Sequence, residues 1–249
     1  MAVVERIVYY PGCFANYYDP EIGKALIEVM RINGIEVIVP DWVCCGMPML
    51  ANGNLKGAAK NVKFNLESLS KAASPGYKII TTCPSGNLML RKECLTFFDS
   101  DEARFVSENT YDAGEFLFKL HQRGRLSTNL GRIPLKVFYH SPCHLKVQNI
   151  IREPLTLLRL IPGVEISRVN TRCCGMGGSY GMKTTNYKRS VEIAKPSWED
   201  IESLHRENKV DNIVTECGGC KLQLEAGTGI KSMHPIMLLD QAYRAYKPS

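Results

Sequence analysis

Short β-prone runs alternate with amphipathic stretches, and the alternation occurs twice along the chain. The run 7–10 is apolar or aromatic throughout and stops at Pro11-Gly12-Cys13, which reads as a buried strand. Asp19-Pro20-Glu21 forms a helix start, with Asp19 as N-cap and Pro20 at the first helical position. Ile22, Ala25, Leu26, Val29 and Met30 keep helical spacing until Asn33-Gly34 breaks it. A strand follows over 35–39, a helix over 54–73 and a strand over 78–82. The order then returns, with a strand over 136–139, a helix over 152–160 and a strand over 164–169. A helix near 187–208 and a strand over 212–215 complete the second round, and His234-Pro235 opens a last helix over 236–246. Strands alternating with helices predict parallel sheets, and the polar, Gly- and Pro-containing stretch 123–134 reads as the linker.

The alternation is a duplication. Cys13, Cys44, Cys45 and Cys83 recur 129 to 134 residues later as Cys143, Cys173, Cys174 and Cys217, and Gly34 and Gly46 match Gly163 and Gly175. A repeat of half the chain means two copies of one unit rather than a solenoid. Each cysteine group follows a predicted strand, and ligands of open α/β sheets lie off the carboxyl ends of the strands. The expected fold is α/β: two pseudo-symmetric copies of a parallel-sheet unit, with the cysteines gathered at those ends.

Composition narrows the chemistry. With 249 residues, 45% of them hydrophobic, the chain buries a full core without covalent staples. The net charge of +6 is modest and scattered, which argues against a nucleic-acid partner. No apolar run approaches the roughly 20 residues of a membrane span, and Met1-Ala2-Val3-Val4-Glu5-Arg6 lacks the look of a signal peptide. The expected location is the cytoplasm, with partners able to hold the chain at a membrane. In a reducing compartment, ten cysteines read as metal binding or catalysis rather than disulfides.

Thiolates select zinc, copper(I) or iron–sulfur clusters. The second copy offers five, Cys143, Cys173, Cys174, Cys217 and Cys220, one more than a zinc tetrahedron or a cubane cluster uses. Glycines beside them (Gly175, Gly177, Gly178, Gly218, Gly219) allow close approach of backbone to a bulky group. The first copy offers Cys13, Cys44, Cys45 and Cys83, with Gly86 where the fifth cysteine would fall. Four thiols suit a cluster or a zinc ion, and a pair of zinc sites stays open as the alternative for both copies. Cys94 has no counterpart and reads as a core residue. His140 and His144 bracket Cys143, either tuning or ligating a metal group or bonding locally. The glycine-rich run 175–181 lacks the lysine and spacing of a phosphate loop and reads as wrapping around the metal group. Lys183, Lys188 and Arg189 read as a solvated face. No Ser/His/Asp or paired-carboxylate set is present to act as catalyst, so any chemistry falls to the metal group.

The array Cys13…Cys44-Cys45-Gly46…Cys83 and Cys143…Cys173-Cys174-Gly175…Cys217-Gly218-Gly219-Cys220 resembles the duplicated cysteine-rich CCG domain. That domain defines the B subunit of heterodisulfide reductase and its relatives, among them the C-terminal module of the C subunit of anaerobic glycerol-3-phosphate dehydrogenase. Lactate and glycolate oxidase iron–sulfur subunits and the E subunit of some succinate or fumarate reductases share it. The resemblance runs from Tyr9 to Pro235 and implies a degenerate CCG domain over 1–125 and a complete one over 134–249. It implies a noncubane [4Fe-4S] cluster on the five second-half cysteines. The first half is implied to hold another cluster or zinc, because Gly86 departs from the motif. The implied activity is that of an oxidoreductase subunit in a heterodisulfide-reductase-like complex, exchanging electrons with a disulfide or thiol. The alternatives are an electron conduit from a flavoprotein dehydrogenase to quinone and, in a different class, a zinc-holding scaffold. The chain lacks ferredoxin-type cysteine runs, so a ferredoxin-like iron–sulfur subunit and a flavoprotein subunit are the implied partners.

Overall fold

The structure is a computed structural model that describes residues 5–247. The chain divides into two compact units, with the boundary between Ser127 and Thr128. The first contains β1 (Glu5–Tyr10), α1 (Pro20–Ile32), β2 (Ile35–Ile38), α2 (Met47–Ala51), α3 (Leu55–Ala73) and β3 (Lys78–Thr81). It continues with α4 (Pro84–Leu88), a π-helical turn, α5 (Cys94–Phe97), α6 (Asp101–Asn109), β4 (Thr110–Asp112) and α7 (Ala113–Gln122). The second contains β5 (Leu135–His140), α8 (Cys143–Lys146), α9 (Arg152–Leu160), β6 (Val164–Asn170) and α10 (Thr184–Arg206). It ends with β7 (Asn212–Val214), α11 (Gly218–Thr228), β8 (Ser232–Met233) and α12 (Pro235–Ala245).

Each unit builds one four-stranded sheet, ordered β2-β1-β3-β4 and β6-β5-β7-β8, and every pairing is parallel. The α/β expectation therefore holds, with the same strand permutation in both halves. The central strands carry the apolar runs read from the sequence: Ile7 to Tyr10 and Val137 to Tyr139 are almost fully buried. Helices cover both faces of such a sheet, so its central strands need apolar side chains on both sides.

Two features depart from the sequence reading. Each sheet has a fourth strand, β4 and β8, of three and two residues, too short to show any periodicity. Asp19 stands at the start of α1, but its side chain makes no capping hydrogen bond, and its carbonyl instead receives Ile22 N–H at 3.1 Å. The helices after β4 and β8 have real side-chain caps. Asp112 accepts from Gly114 N–H at 2.8 Å, and His234 Nδ1 from Ile236 N–H at 3.0 Å. Cys94 is fully buried in the first unit's core, its thiol donating to Leu90 O at 3.0 Å.

Glycine marks the tightest helix crossing. The Trp198 ring of α10 lies on α11 at Gly227, where a Cβ would come within 1.9 Å of the ring, and Trp198 Nε1–H donates to Gln223 O at 3.1 Å. Gly227→Ala is expected to destabilise the protein by about 1–3 kcal/mol through overpacking. Gly23→Ala, where the added Cβ meets nothing closer than 3.6 Å, should stabilise α1 by up to about 1 kcal/mol. Thermal denaturation of the two variants checks both signs.

Candidate metal–sulfur centres

In the first unit, three strand ends deliver four sulfurs to one edge of the sheet. Cys13 follows β1, Cys44 and Cys45 follow β2, and Cys83 follows β3. The Cys44-Cys45 loop is held by amides of α3. The buried Asn65 accepts from Val43 N–H at 3.0 Å and donates to Val43 O at 3.1 Å, and Asn61 donates to Cys44 O at 3.0 Å. Gly46 turns with φ +85°, in the left-handed region that favours glycine. Cys44 is the hub. Hydrogen bonds from the Cys13 and Cys45 thiols hold its own thiol down to about 2, while Cys13 and Cys45 are pushed up by the same contacts and by burial. Cys83 lies close enough to raise both of those further. Tyr10 stands among the four sulfurs and donates its hydroxyl to Val43 O at 2.7 Å.

The second unit repeats the arrangement with five sulfurs. Cys143 and Cys174 both hydrogen-bond to Cys173, which is thereby held down to about 2. Cys220 donates to Cys174 at 3.1 Å and also bonds to Cys217. The five thiols thus form one continuous chain of sulfur contacts. Backbone N–H groups point into it: Gly175 N–H reaches Cys173 Sγ at 3.3 Å, and Cys217 is lowered to about 7, first by the Cys220 thiol and then by the Cys220 and Gly219 N–H groups, against the effect of burial. The loop is pinned by Ser190 of α10, whose hydroxyl donates to Gly175 O at 2.9 Å. No side chain fits at Gly175, because a Cβ would lie 2.1 Å from Ser190 O. Cys143 and Cys173 are exposed, and Cys174 and Cys220 are buried, so this sulfur set has a solvent face and a protein face.

His140 belongs to this site, whereas Tyr10 occupies the matching place in the first unit. A ring nitrogen of His140 and the sulfurs of Cys174 and Cys220 lie within 4.8 Å of one another. Burial pushes the imidazole down to about 4. The difference between the two residues bears on the position of the missing fifth cysteine. A Cβ at Gly86 would meet Tyr10 Cε1 at 3.2 Å, so a side chain there crowds the ring that stands where the second unit has His140. The wide separation in sequence of the residues involved kept this coupling out of the sequence reading. Lys188 and Arg189 line an open groove on α10 with Thr185, Glu192 and Ile193, outside the sulfur set.

The second-unit residues fit a bulky metal–sulfur group. Five soft donors and inward N–H groups are gathered there, and His140 Nε2, buried and without a protein partner, belongs to a ring beside Cys174 and Cys220. Polar atoms with no protein partner are rare in protein interiors, and a bound group beside the sulfurs would supply one here.

Comparison with known proteins agrees with this geometry. The cysteine-rich CCG domain model matches residues 7–91 and again 137–225. The C subunit of anaerobic glycerol-3-phosphate dehydrogenase from Escherichia coli is 35% identical over 96% of this chain and 59% of its own length. The B subunit of fumarate reductase (CoM/CoB) from Methanothermobacter marburgensis is 34% identical over 96% of this chain and 46% of its own length. An uncharacterized iron-sulfur protein of Methanocaldococcus jannaschii is 25% identical over 88% of this chain and 41% of its own. The chain thus spans roughly half the length of these relatives, two of which are named as oxidoreductase subunits. Among the described residues no helix is long and apolar enough to cross a membrane. The chain belongs to the CCG cysteine-rich domain family and carries that domain twice.

Proposed function

We propose that the chain is an iron–sulfur electron-transfer and catalytic subunit of a heterodisulfide-reductase-like complex. The noncubane [4Fe-4S] cluster would be held by Cys143, Cys173, Cys174, Cys217 and Cys220. The observation that carries this reading is the unbroken line of five sulfurs joined by four contacts, with a buried, unpartnered His140 nitrogen beside it. Cys13, Cys44, Cys45 and Cys83 suit a second iron–sulfur cluster or a zinc ion. Bound in the second unit, the cluster supplies redox chemistry and an iron able to take a substrate sulfur. The chain's own residues hold it: Cys174 and Cys220 anchor it on the protein side, and the Gly175 and Gly219 N–H groups offset negative charge on sulfur. The exposed Cys143 and Cys173 leave a face open to a disulfide or thiol. The two domains are taken as residues 1–125 and 134–249, working in the cytoplasm. Their partners are a ferredoxin-like iron–sulfur subunit and a flavoprotein subunit.

A second reading, an electron conduit from a flavoprotein dehydrogenase to quinone, is favoured by the 35% identity to the glycerol-3-phosphate dehydrogenase subunit. Reduced protein offered both oxidants decides between them. Reoxidation by thiol disulfides is expected, and reoxidation by quinone analogues alone overturns the disulfide reading.

Anaerobically purified protein should be brown and carry about four or more irons, with matching sulfide, per chain. Cys173→Ser should remove about four of them. Colourless protein with zinc in each half would instead make the chain a scaffold. In the first unit, Gly86→Cys alone is expected to leave iron content unchanged, because Tyr10 fills the space. The double variant Tyr10→His/Gly86→Cys should bring the electron paramagnetic resonance spectrum of that half toward that of the second. Metal analysis and spectra of the two variants check this.

A further inference from the structure

We infer that His140 donates its Nε2–H to a sulfur of the second centre and thereby raises that centre's reduction potential above what the five cysteines alone would set. The inference rests on the cluster reading above and assigns a residue to it.

The proton position follows from the hydrogen-bond chain behind the ring. Asn170 Oδ1 accepts from Arg172 N–H at 3.1 Å, which fixes the orientation of the amide. Its Nδ2 is then the donor end, and it faces Ser197 Oγ at 3.0 Å and His140 Nδ1 at 3.1 Å. An amide N–H pointing at Nδ1 requires a lone pair there, so the single ring proton of His140 sits on Nε2. That N–H is buried, has no partner in the protein, and belongs to a ring with a nitrogen within 4.8 Å of Cys174 and Cys220 Sγ. A buried donor without a partner is costly, and sulfur is the acceptor at hand. The same tautomer excludes His140 as a metal ligand, because ligation needs the lone pair that Asn170 forces onto the other nitrogen.

The first unit has no equivalent. Tyr10 takes the place of His140, and its one hydroxyl proton is used on Val43 O at 2.7 Å. Hydrogen bonds to cluster sulfurs disperse negative charge and favour the reduced form. His140 is thus a positioning and tuning residue that acts on the cluster through sulfur.

The test uses anaerobically prepared full-length protein with histidine selectively labelled with 15N. Pulsed electron paramagnetic resonance of the reduced wild type should show a weak nitrogen coupling of hydrogen-bond size, retained in His144→Gln and lost in His140→Gln. Redox titration should place His140→Gln, which keeps an N–H donor, near the wild type. His140→Phe, with no donor, should titrate at a lower potential. If His140→Phe fails to load iron, the labelled wild type and His140→Gln still decide. Absence of the weak coupling, its persistence in His140→Gln, or a coupling of direct-ligand size overturns the inference while leaving the cluster reading intact. Wild-type protein without iron overturns both.

Discussion

Parallel strand pairing requires every strand of a unit to end on the same edge of its sheet, and the sulfur chemistry depends on that constraint. Crossover helices carry the chain back to the opposite edge each time. Residues such as Cys13, Cys44 and Cys83 therefore stand beside one another despite dozens of intervening positions. The constraint also explains why the two thiols of each Cys-Cys pair are unlike. One sits at the hub of its neighbours' S–H donors, and the other turns into the core, its pKa raised by donating to its neighbour and then by burial.

Much of this was legible in the sequence because the signals were long or repeated. The strands β1, β2, β3, β5, β6 and β7, the helix 152–160 and the registered cysteines all lie in the places their patterns suggest. The edge strands β4 and β8 carried no such signal. They hold three and two residues, and their position depends on pairing with β3 and β7 rather than on their own composition. Helix α6 was equally hidden; it stands before β4 together with α4 and α5, where the second unit has α11 alone before β8. Asp19 looked like a cap from its residue type alone, but the π-helical turn Phe14–Tyr18 before it delivers the chain to α1 in a conformation where backbone groups make the closing bonds.

At the site, the cysteines could be read from spacing and the histidine could not. His140 was one of two histidines near Cys143, and nothing local distinguished a tuning role from an ordinary hydrogen bond. Its tautomer depends on Asn170 and Arg172, thirty residues away in sequence, whose arrangement exists only once β5 and β6 are paired. Likewise, Gly86 looked like a simple loss of a ligand. In the structure a side chain at that position would crowd the Tyr10 ring. The first unit shows how a duplicated fold can diverge in chemistry through two linked positions while keeping its sheet intact.

The mixed exposure of the sulfurs has a kinetic side. Cys143 and Cys173 face solvent, while Cys174 and Cys220 are shielded. Oxidants small enough to diffuse to the open edge would meet the Cys173 thiolate there first, before reaching the shielded pair. Oxidation in such an arrangement proceeds from the open edge inward, graded rather than all-or-none.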